Sequence, residues 1–506
     1  MSDQYLMSID IGTTGIKAAL YNDLACYVDG AYVEQPLTCE RPGWAEQDPR
    51  AWWQGVVAAT RQVLVKSKLD PGSILAISVT GQQPSPVFLD GEGEVLGKSL
   101  IWMDRRTSDE CQCVADSIGS EALYNKTGLR ADAMYGIYKI MWLQKHRPEL
   151  SERLRYVLQP KDFINYRLTG KIASDYASSA AMQGLGLKTL RWEEEIFQAA
   201  GVPLSIMPEL HDCTHILGNV SAQAASELGL SEETCVMVSA GDTTLSALGC
   251  GVMRAGDTAV VIGTSSDVVS CVRRPVFDHK QRIGCYPYVV PGLYITIAGA
   301  NSSGIALRWL RDQLLGGGSA KPTYDELTEA ASSVPPGCDG LLFLPYLSGE
   351  RSPVYNPEAR GIFAGISLMH SRPHFVRAVL EGVALSVHDR LSITRALGAE
   401  PARVVLSGGG AKSELWRQII TDMIGLPTRR ADVSDSALLG AAMVAAVGSG
   451  LYSSLTEACE KMMRFSEDAC PDEETHATYQ KVYRLYKDLY EANVGFFSSL
   501  AQAGLD

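Results

Sequence analysis

Positive charge is in short supply in this sequence, and the shortage limits what the chain would bind. Across 506 residues, 45 Lys and Arg stand against 58 Asp and Glu, which gives a net charge of −13. A chain with this balance repels polyanions, so we expect no nucleic-acid partner. A phosphate-bearing ligand would have to be held by local donors, such as backbone N–H groups and a metal ion.

Paired cysteines and long apolar runs are missing as well. The 12 cysteines are scattered, with only Cys111 and Cys113 close together, which is typical of free thiols in a reducing compartment. No stretch approaches the roughly twenty apolar residues of a membrane span, and Met1–Gln4 lacks the features of a signal peptide. We therefore expect a cytoplasmic protein with no membrane partner.

Apolar residues are abundant, and their spacing alternates between strand-like and helix-like segments. At 46% apolar and 20% charged residues the chain is typical of folded proteins, and its length favours two domains. This alternation predicts an α/β fold. The predicted strands are 5–10, 16–21, 74–79, 235–240, 258–262, 341–344 and 404–406. The predicted helices are 49–66, 107–118, 138–145, 161–168, 243–248, 302–314, 373–397, 414–424 and 437–447. Residues 80–86, 208–218 and 316–318 are predicted loops.

Two Gly-Thr turns, about half a chain apart, follow apolar strands. The first is Gly12-Thr13-Thr14, between Asp10 and Lys17, and the second is Gly263-Thr264-Ser265. Glycine lets backbone N–H groups approach a phosphate closely, and hydroxyl side chains add donors. Asp10 would suit Mg²⁺, which favours a carboxylate or two plus phosphate oxygens. Taken alone, the local pattern of each turn favours a hairpin without a ligand, because hairpin turns use glycine for its positive φ. Their similarity would be explained by two related domains that share one cleft.

Asp242 lies among small residues between a predicted strand and a predicted helix. A carboxylate in this position would serve as the general base for an alcohol, or would simply cap the helix.

Gly408-Gly409-Gly410 also lies between a predicted strand and a predicted helix. These glycines permit close contact with a nucleoside, or they form a plain tight turn. It is neither a dinucleotide fingerprint nor a P-loop. His211 and His215 have metal-like spacing without a second ligand pair, so we interpret them as part of a surface loop.

Longer motifs resemble the FGGY family of carbohydrate kinases. The resemblance extends from Asp10 to about Gly450, so it covers nearly the whole chain. Two family signatures are almost intact, at residues 134–146 and at residues 361–366 followed by 374–381. Residues 345–353, with the sequence PYLSGERSP, are also similar to the family. The ordered series of matches is more specific than any single motif.

The resemblance implies two ribonuclease-H-like, actin-like α/β domains flanking a catalytic cleft, residues 1–250 and 251–506, the second ending in a helix. It implies that Asp242 is the catalytic base, that Asp10 holds Mg²⁺, and that ATP donates the phosphoryl group. The residues it assigns to ATP are Gly12, Thr13, Thr14, Lys17, Gly263, Thr264, Ser265, Gly408, Gly409, Gly410 and Ser413. Similar kinases are often homodimers.

The identity of the acceptor follows less directly. Residues 44–49 and 101–106 look most like the xylulokinase and gluconokinase branches, which favours a ketopentose such as D-xylulose. The sequence departs from xylulokinases at Gln83 and Pro84, where they carry Met-His, and at Thr243, where they carry Asn. Asp435 stands where the family more often has Glu. The predicted substrate-binding residues are Gln82, Gln83, Trp102, Asp104, Arg105, Asp242 and Thr243.

Other acceptors and other classes of function stay open at this point. Gluconate, another pentulose or a polyol would suit the same motifs. An actin-like ATPase that controls a partner protein is one alternative from a different class, although the two signatures are not features of actin. A non-catalytic sugar sensor is another, and the presence of both Asp10 and Asp242 disfavours it.

Overall fold

Two six-stranded mixed sheets, one in each half of the chain, form the centre of the fold. The computed structural model describes residues 4–24, 26–315, 321–466 and 468–504, so the predicted loop at 316–318 lies outside the described residues.

The strands of the first half are β1 Tyr5–Ile11, β2 Gly15–Asn22, β3 Tyr27–Glu34, β4 Glu46–Gln47, β5 Ile74–Gly81, β6 Val87–Leu89, β7 Ser99–Leu100, β8 Tyr156–Leu158, β9 Ser174–Asp175, β10 Leu210–His211, β11 Ile216–Asn219 and β12 Cys235–Met237. Its helices are α1 Pro49–Ser67, α2 Ser108–Ile118, α3 Ser120–Thr127, α4 Gly136–His146, α5 Pro148–Ser151, α6 Pro160–Thr169, α7 Tyr176–Ala180, α8 Glu194–Ala200, α9 Ala222–Leu228 and α10 Asp242–Gly249.

The strands of the second half are β13 Asp257–Ile262, β14 Ser266–Val272, β15 Gly284–Pro287, β16 Tyr294–Ala300, β17 Leu342–Leu344, β18 Ile362–Ala364, β19 Arg403–Ser407 and β20 Thr428–Arg430. Its helices are α11 Gly304–Trp309, α12 Tyr324–Ser332, α13 Arg372–Ala396, α14 Glu414–Ile424, α15 Ser436–Gly448, α16 Leu455–Met462 and α17 Glu473–Gln502. A π-helical turn, Leu310–Leu314, extends α11.

Five strands of each sheet repeat one topology, and the sixth strand, β11 or β15, is added at opposite ends. The first has the strand order β11-β12-β5-β1-β2-β3, and the second has the order β15-β16-β14-β13-β19-β20. In each, an antiparallel meander (β1-β2-β3 or β13-β14-β16) is extended by two parallel strands, β5 and β12 or β19 and β20. The predicted α/β architecture of two related domains is confirmed. The boundary at residue 250 stays a prediction.

The two halves pack closely where α10 meets α15. A Cβ atom on Gly249 of α10 would lie 1.9 Å from the carbonyl oxygen of Ser436, and one on Gly440 of α15 would lie 2.0 Å from that of Leu245. Both distances are far shorter than a van der Waals contact, so the two helix backbones approach each other only because these residues are glycines. Buried residues of both halves join one hydrophobic cluster around this pair of helices.

Several predicted boundaries were wrong. The predicted loop at 80–86 begins too early, because Thr80 and Gly81 continue β5 and pair with β1. The predicted loop at 208–218 contains β10 and part of β11. The strand predicted at 235–240 ends at Met237, and Ser239 has a left-handed φ of 62°. Thr80, Gly81 and β10 pair with strands that are distant in sequence, which local periodicity does not reveal.

The predicted helix at 302–314 was wrong at its start, since regular helix begins only at Gly304 and passes into the π-helical turn. No helix within the described ranges combines the length and apolar character needed to span a bilayer.

Candidate active site

The first Gly-Thr turn joins β1 to β2 as a tight hairpin. The N–H of Gly12 donates to the carbonyl oxygen of Gly15 at 3.0 Å. The hydroxyl group of Thr13 points inward, donating to Gln82 Oε1 at 3.1 Å and accepting from Trp102 Nε1 at 3.0 Å. Thr14, at the tip, is exposed. The carbonyl oxygens of Thr13 and Thr14 accept from Gln47 and from the N–H of Gln35. This turn therefore offers a ligand the N–H groups of Thr13 and Thr14 and the Thr14 side chain, whereas the Thr13 hydroxyl is already engaged.

The second Gly-Thr turn joins β13 to β14 in the same way. The N–H of Gly263 donates to the carbonyl oxygen of Ser265 at 2.9 Å, and Gly263 and Thr264 are both exposed. The start of α11 packs directly on this turn, since the N–H of Gly304 donates to the Gly263 carbonyl oxygen at 2.9 Å. Each sheet thus presents one exposed Gly-Thr turn.

Asp10 and Lys17 form the centre of the first hairpin, where they are cross-strand partners. The Lys17 ammonium group lies 3.3 Å from Asp10 Oδ2 and 2.7 Å from Asp435 Oδ2. Asp435 caps α15, so Lys17 links the two halves of the chain. Burial raises the pKa of Asp10 to about 6, against the opposing effect of Lys17. A second Asp10 oxygen, Oδ1, is buried and has no hydrogen-bond partner among the described residues.

Asp242 is the first residue of α10, and Gly241 occupies the cap position. Its Oδ1 accepts from the N–H of Thr243 at 2.6 Å and from the Thr243 hydroxyl at 3.3 Å. Burial, followed by the nearby charge of Asp10, raises the pKa of Asp242 to about 7. A half-buried carboxylate with a pKa near neutrality is suited to general-base catalysis.

Buried polar groups fix the loop that leads to Asp242. The hydroxyl groups of Ser78 and Ser239 are 2.8 Å apart, which ties the loop to β5. Lys161 and Asn165 of α6 donate to the carbonyl oxygen of Val238 at 3.2 Å and 2.9 Å. Lys161 is itself held by two buried carboxylates of Asp162 and Asp175. The position of the candidate base is therefore set by the core of the first half.

Gln83 and Gln82 have different surroundings although they are adjacent. The Gln82 side chain is 2% exposed and is engaged at both ends, by Thr13 and by Gln47. Gln83 lies against Gly241, where a Cβ atom would be 2.1 Å from Gln83 Oε1. That oxygen is buried and has no partner among the described residues. Gln83 thus offers a free acceptor beside Asp242, whereas Gln82 supports the first turn.

The remaining predicted substrate residues differ in how far they are engaged by the protein itself. Asp104 is fully buried, and its oxygens accept from Arg106 and from the N–H of Ala45, so it is engaged with the protein itself. Arg105 is partly exposed and pairs with Asp132. Trp102 is half-buried against Thr13.

One buried lysine, which sequence reasoning did not assign to the site, holds the loops of this region together. Lys139 of α4 is fully buried, and its ammonium group donates to the carbonyl oxygens of Pro84 at 3.0 Å and Ile101 at 2.8 Å. Burial lowers the pKa of Lys139 well below its usual value. Lys139 therefore positions Gln83 and Trp102, although it lies beneath them.

A cavity of about 560 Å³ opens beside the second Gly-Thr turn. Of the predicted nucleotide residues, Gly263, Thr264, Gly409, Gly410 and Ser413 line it. A Cβ atom on Gly409 would meet no atom within 4 Å, whereas one on Gly408 would lie 2.5 Å from the Ile262 carbonyl oxygen. Gly408 therefore allows close packing on β13, and Gly409 faces open space. Sequence reasoning missed the other wall, formed by Leu307, Arg308, Thr323, Tyr324, Asp325, Thr328, Lys412 and Trp416.

A second cavity, of about 240 Å³, contains the candidate catalytic carboxylates. It is lined by Asp10, Lys17, Asp242, Thr243, Ser246, Val261, Asp267, Val269, Asp435 and Ala437, from both halves of the chain. Asp267, Ser246 and Asp435 were not predicted as site residues. Their strands and helices meet only in the folded chain, so no local motif marks them.

These residues fit a nucleoside triphosphate with Mg²⁺. The unpartnered Asp10 Oδ1 is the kind of ligand that Mg²⁺ takes alongside phosphate oxygens. The exposed turns and the cavity at Gly409 have the size and donors for phosphates and a nucleoside. No group of three or more His, Cys, Asp or Glu suited to a metal occurs in the described part of the chain. His211 and His215 instead stack on each other, with ring centroids 4.3 Å apart.

The duplicated sheets, with one Gly-Thr turn each and carboxylates between them, define a two-domain α/β protein of the ribonuclease-H-like, actin-like fold. The model of the FGGY carbohydrate kinase N-terminal domain matches residues 5–249, and that of the C-terminal domain matches residues 256–449. The chain belongs to the FGGY family of carbohydrate kinases.

Relatives with two different acceptors resemble the chain equally. It is 30% identical to a xylulose kinase of Bacillus subtilis over 490 residues, which covers 96% of this chain and 97% of the relative. It is also 30% identical to a gluconokinase of B. subtilis over 494 residues, covering 96% and 95%. The crystal structure of a gluconate kinase from Lactobacillus acidophilus superposes with a TM-score of 0.92 at 29% identity, covering 99% of this chain and 100% of that structure.

Proposed function

We propose that this chain transfers the γ-phosphoryl group of ATP to a hydroxyl group of a ketopentose, with D-xylulose as the leading candidate. The observation that carries the proposal is Asp242, whose pKa is raised to about 7 and which lies in one cavity with Asp10 and Lys17. Phosphoryl transfer needs positioning and charge stabilisation more than covalent chemistry. Asp242 would position the attacking hydroxyl group in this cavity, and a metal ion held by Asp10 would supply the positive charge.

In this proposal Asp242 accepts the proton of the acceptor hydroxyl as that oxygen attacks the phosphoryl group in line. Gln83 Oε1 accepts a hydrogen bond from another hydroxyl and so orients the acceptor. The two Gly-Thr turns donate backbone N–H groups to phosphate oxygens, and the cavity at Gly409 and Ser413 holds the adenosine. Mg²⁺, held by Asp10, would neutralise phosphate charge during transfer.

Gluconate is the second candidate acceptor. The gluconokinase of B. subtilis is as similar to this chain as the xylulose kinase is, and the superposed L. acidophilus structure is that of a gluconate kinase. Gln83 and Thr243 replace side chains that xylulokinases carry, which changes the hydroxyl groups that are held.

We also propose that the protein acts in the cytoplasm and forms a homodimer, with no other macromolecular partner. Light scattering would check the homodimer.

A panel of acceptors tests the proposal. Purified protein with Mg-ATP would be offered D-xylulose, D-ribulose, hexuloses, polyols and gluconate, and ADP release would be followed in a coupled assay. We expect the highest kcat/KM with a ketopentose. A higher kcat/KM with gluconate would assign the second candidate instead.

A further inference from the structure

A carboxylate from the second half of the chain faces the candidate base across the cleft. Asp267 lies at the start of β14 and lines the same cavity as Asp10 and Asp242. Its side chain is 28% exposed, and its carboxylate accepts no hydrogen bond of normal length within the described ranges. The closest cation is Arg351, whose Nη2 lies 3.7 Å from Asp267 Oδ1. Asp267 therefore retains free acceptor capacity toward the cavity.

The backbone is shaped to accommodate Asp267 and Arg351 side by side. Asp267 is the cross-strand partner of Gly299 on β16. A Cβ atom on Gly299 would lie 2.7 Å from Asp267 Oδ1 and 2.6 Å from Arg351 Nη2. A larger residue at 299 would therefore displace the pair, because both distances are below van der Waals contact.

Arg351 is held in place by groups behind it. Its Nε donates to Asn301 Oδ1 at 3.1 Å, and its Nη2 donates to the Ala300 carbonyl oxygen at 3.4 Å. The backbone N–H groups of Asn301 and Arg351 both donate to Oε1 of Glu350, at 2.7 Å and 2.8 Å. Glu350 is only 3% exposed, so it anchors this assembly in the core. The guanidinium group is thus oriented before any ligand arrives.

The charges in the cavity favour one class of acceptor. Asp10, Asp242, Asp267 and Asp435 stand against the single cation Lys17 among the residues that line it. A hydroxyl group would donate to the free Asp267 carboxylate, whereas an acceptor carboxylate would be repelled by it. Two cations would attract an acidic acceptor, Lys17 and Arg351. Lys17 is already paired with Asp10 and Asp435, and Arg351 lies beside Asp267, so the four carboxylates still outnumber the two cations.

We propose that Asp267, oriented by Arg351, is a specificity-determining residue that accepts hydrogen bonds from a neutral polyhydroxy acceptor and disfavours sugar acids. The inference rests on the proposed function, since it concerns the acceptor of the same reaction. It goes further by assigning acceptor selection to the second half of the chain, which the predicted substrate residues do not include.

The test compares acceptor kinetics of the unchanged protein, Asp267→Asn and Arg351→Lys. The matched control is Asp468→Asn, which removes a carboxylate paired with Arg429 on the surface of the same half. KM and kcat would be measured for D-xylulose, a polyol and gluconate, together with the KM for ATP. Thermal unfolding of each variant would show that it is folded.

For Asp267→Asn we expect the KM of the neutral acceptor to rise about tenfold or more, and its kcat/KM advantage over gluconate to fall by a similar factor. Arg351→Lys should change selectivity in the same direction by a smaller factor, and the KM for ATP should change in neither variant. Asp468→Asn should match the unchanged protein.

Two results would overturn the inference. One is that Asp267→Asn and Arg351→Lys are active and keep the KM values and acceptor selectivity of the unchanged protein within about twofold. The other is a preference for gluconate that Arg351→Lys abolishes, since Arg351 would then bind the acid. A protein that phosphorylates no acceptor at all would overturn the proposed function as well, so the two failures are distinguishable.

Discussion

At the scale of single residues, Asp242 has the most specific expected role. Asp242→Asn keeps the shape of the side chain but removes its ability to accept a proton. We expect turnover to fall by about 10²- to 10⁴-fold, while ATP and acceptor still bind. A coupled ADP assay gives the turnover, and calorimetric titration gives the binding. Near-normal turnover would rule out Asp242 as the base.

The pH dependence of the reaction follows from the same residue. Because the pKa of Asp242 is raised to about 7, a growing fraction of the base form is present as the pH rises through neutrality. We expect kcat/KM for the acceptor to rise between about pH 6 and about pH 8, with its midpoint near 7. A profile that is flat across this range would contradict the assignment.

The unpartnered oxygen of Gln83 gives a third residue-scale prediction. Gln83→Ala removes a buried acceptor beside Gly241, so we expect KM for the acceptor to rise about tenfold and the substrate profile to change. Gln144→Ala, at an exposed amide of α4, is the control. Identical acceptor profiles in the two variants would show that Gln83 does not touch the acceptor.

At the scale of helices, the contact between α10 and α15 is the most sensitive to substitution. A Cβ atom on Gly440 would lie 2.0 Å from a backbone oxygen, so Gly440→Ala must separate the helices and should destabilise the fold by about 1–3 kcal/mol. Gly495→Ala in α17 meets no atom within 4 Å and should stabilise by up to about 1 kcal/mol. Urea unfolding compares the two. Equal midpoints would show that the helices do not pack this closely.

Local sequence patterns predicted strands and helices well where all the residues that determine the element are neighbours in the chain. At the hairpin, a mostly apolar run is followed directly by Gly12. At 414–424, helical apolar spacing follows the cap residue Ser413 directly. The two-residue strand β10 was missed because its pairing partner, β9, is distant in sequence. The four-residue strand β11 was missed because its residues, two of them exposed, form no apolar run. Lys139 lies within the signature at residues 134–146, but its role was missed because its partners, the carbonyl oxygens of Pro84 and Ile101, are distant in sequence.

At the scale of the whole molecule, the site exists only because the two halves meet. Lys17 contacts Asp435 at 2.7 Å, and the Arg130 guanidinium group lies 4.1 Å from the centre of the Tyr355 ring. Each of these contacts joins residues more than 200 positions apart in the sequence. The Gly-Thr turns and Asp242 were ambiguous one at a time, and their order along the whole chain identified the family. The place of Asp267 beside Arg351 could not have been predicted in this way. It arises from the pairing of Asp267 with Gly299 of β16 and from the hydrogen bonds of Arg351 to Asn301 and Ala300, just beyond and at the end of that strand.

The dependence of ADP release on the acceptor tests the central claim most directly. ADP formation from Mg-ATP would be measured without acceptor, with the preferred sugar, and with that sugar and Asp242→Asn protein. We expect acceptor to stimulate ADP release by about 10²-fold or more, because bound water is a poor substitute for a positioned hydroxyl group. The stimulation should disappear in Asp242→Asn. ADP release at the same rate with and without every acceptor would contradict a sugar kinase and indicate an ATPase.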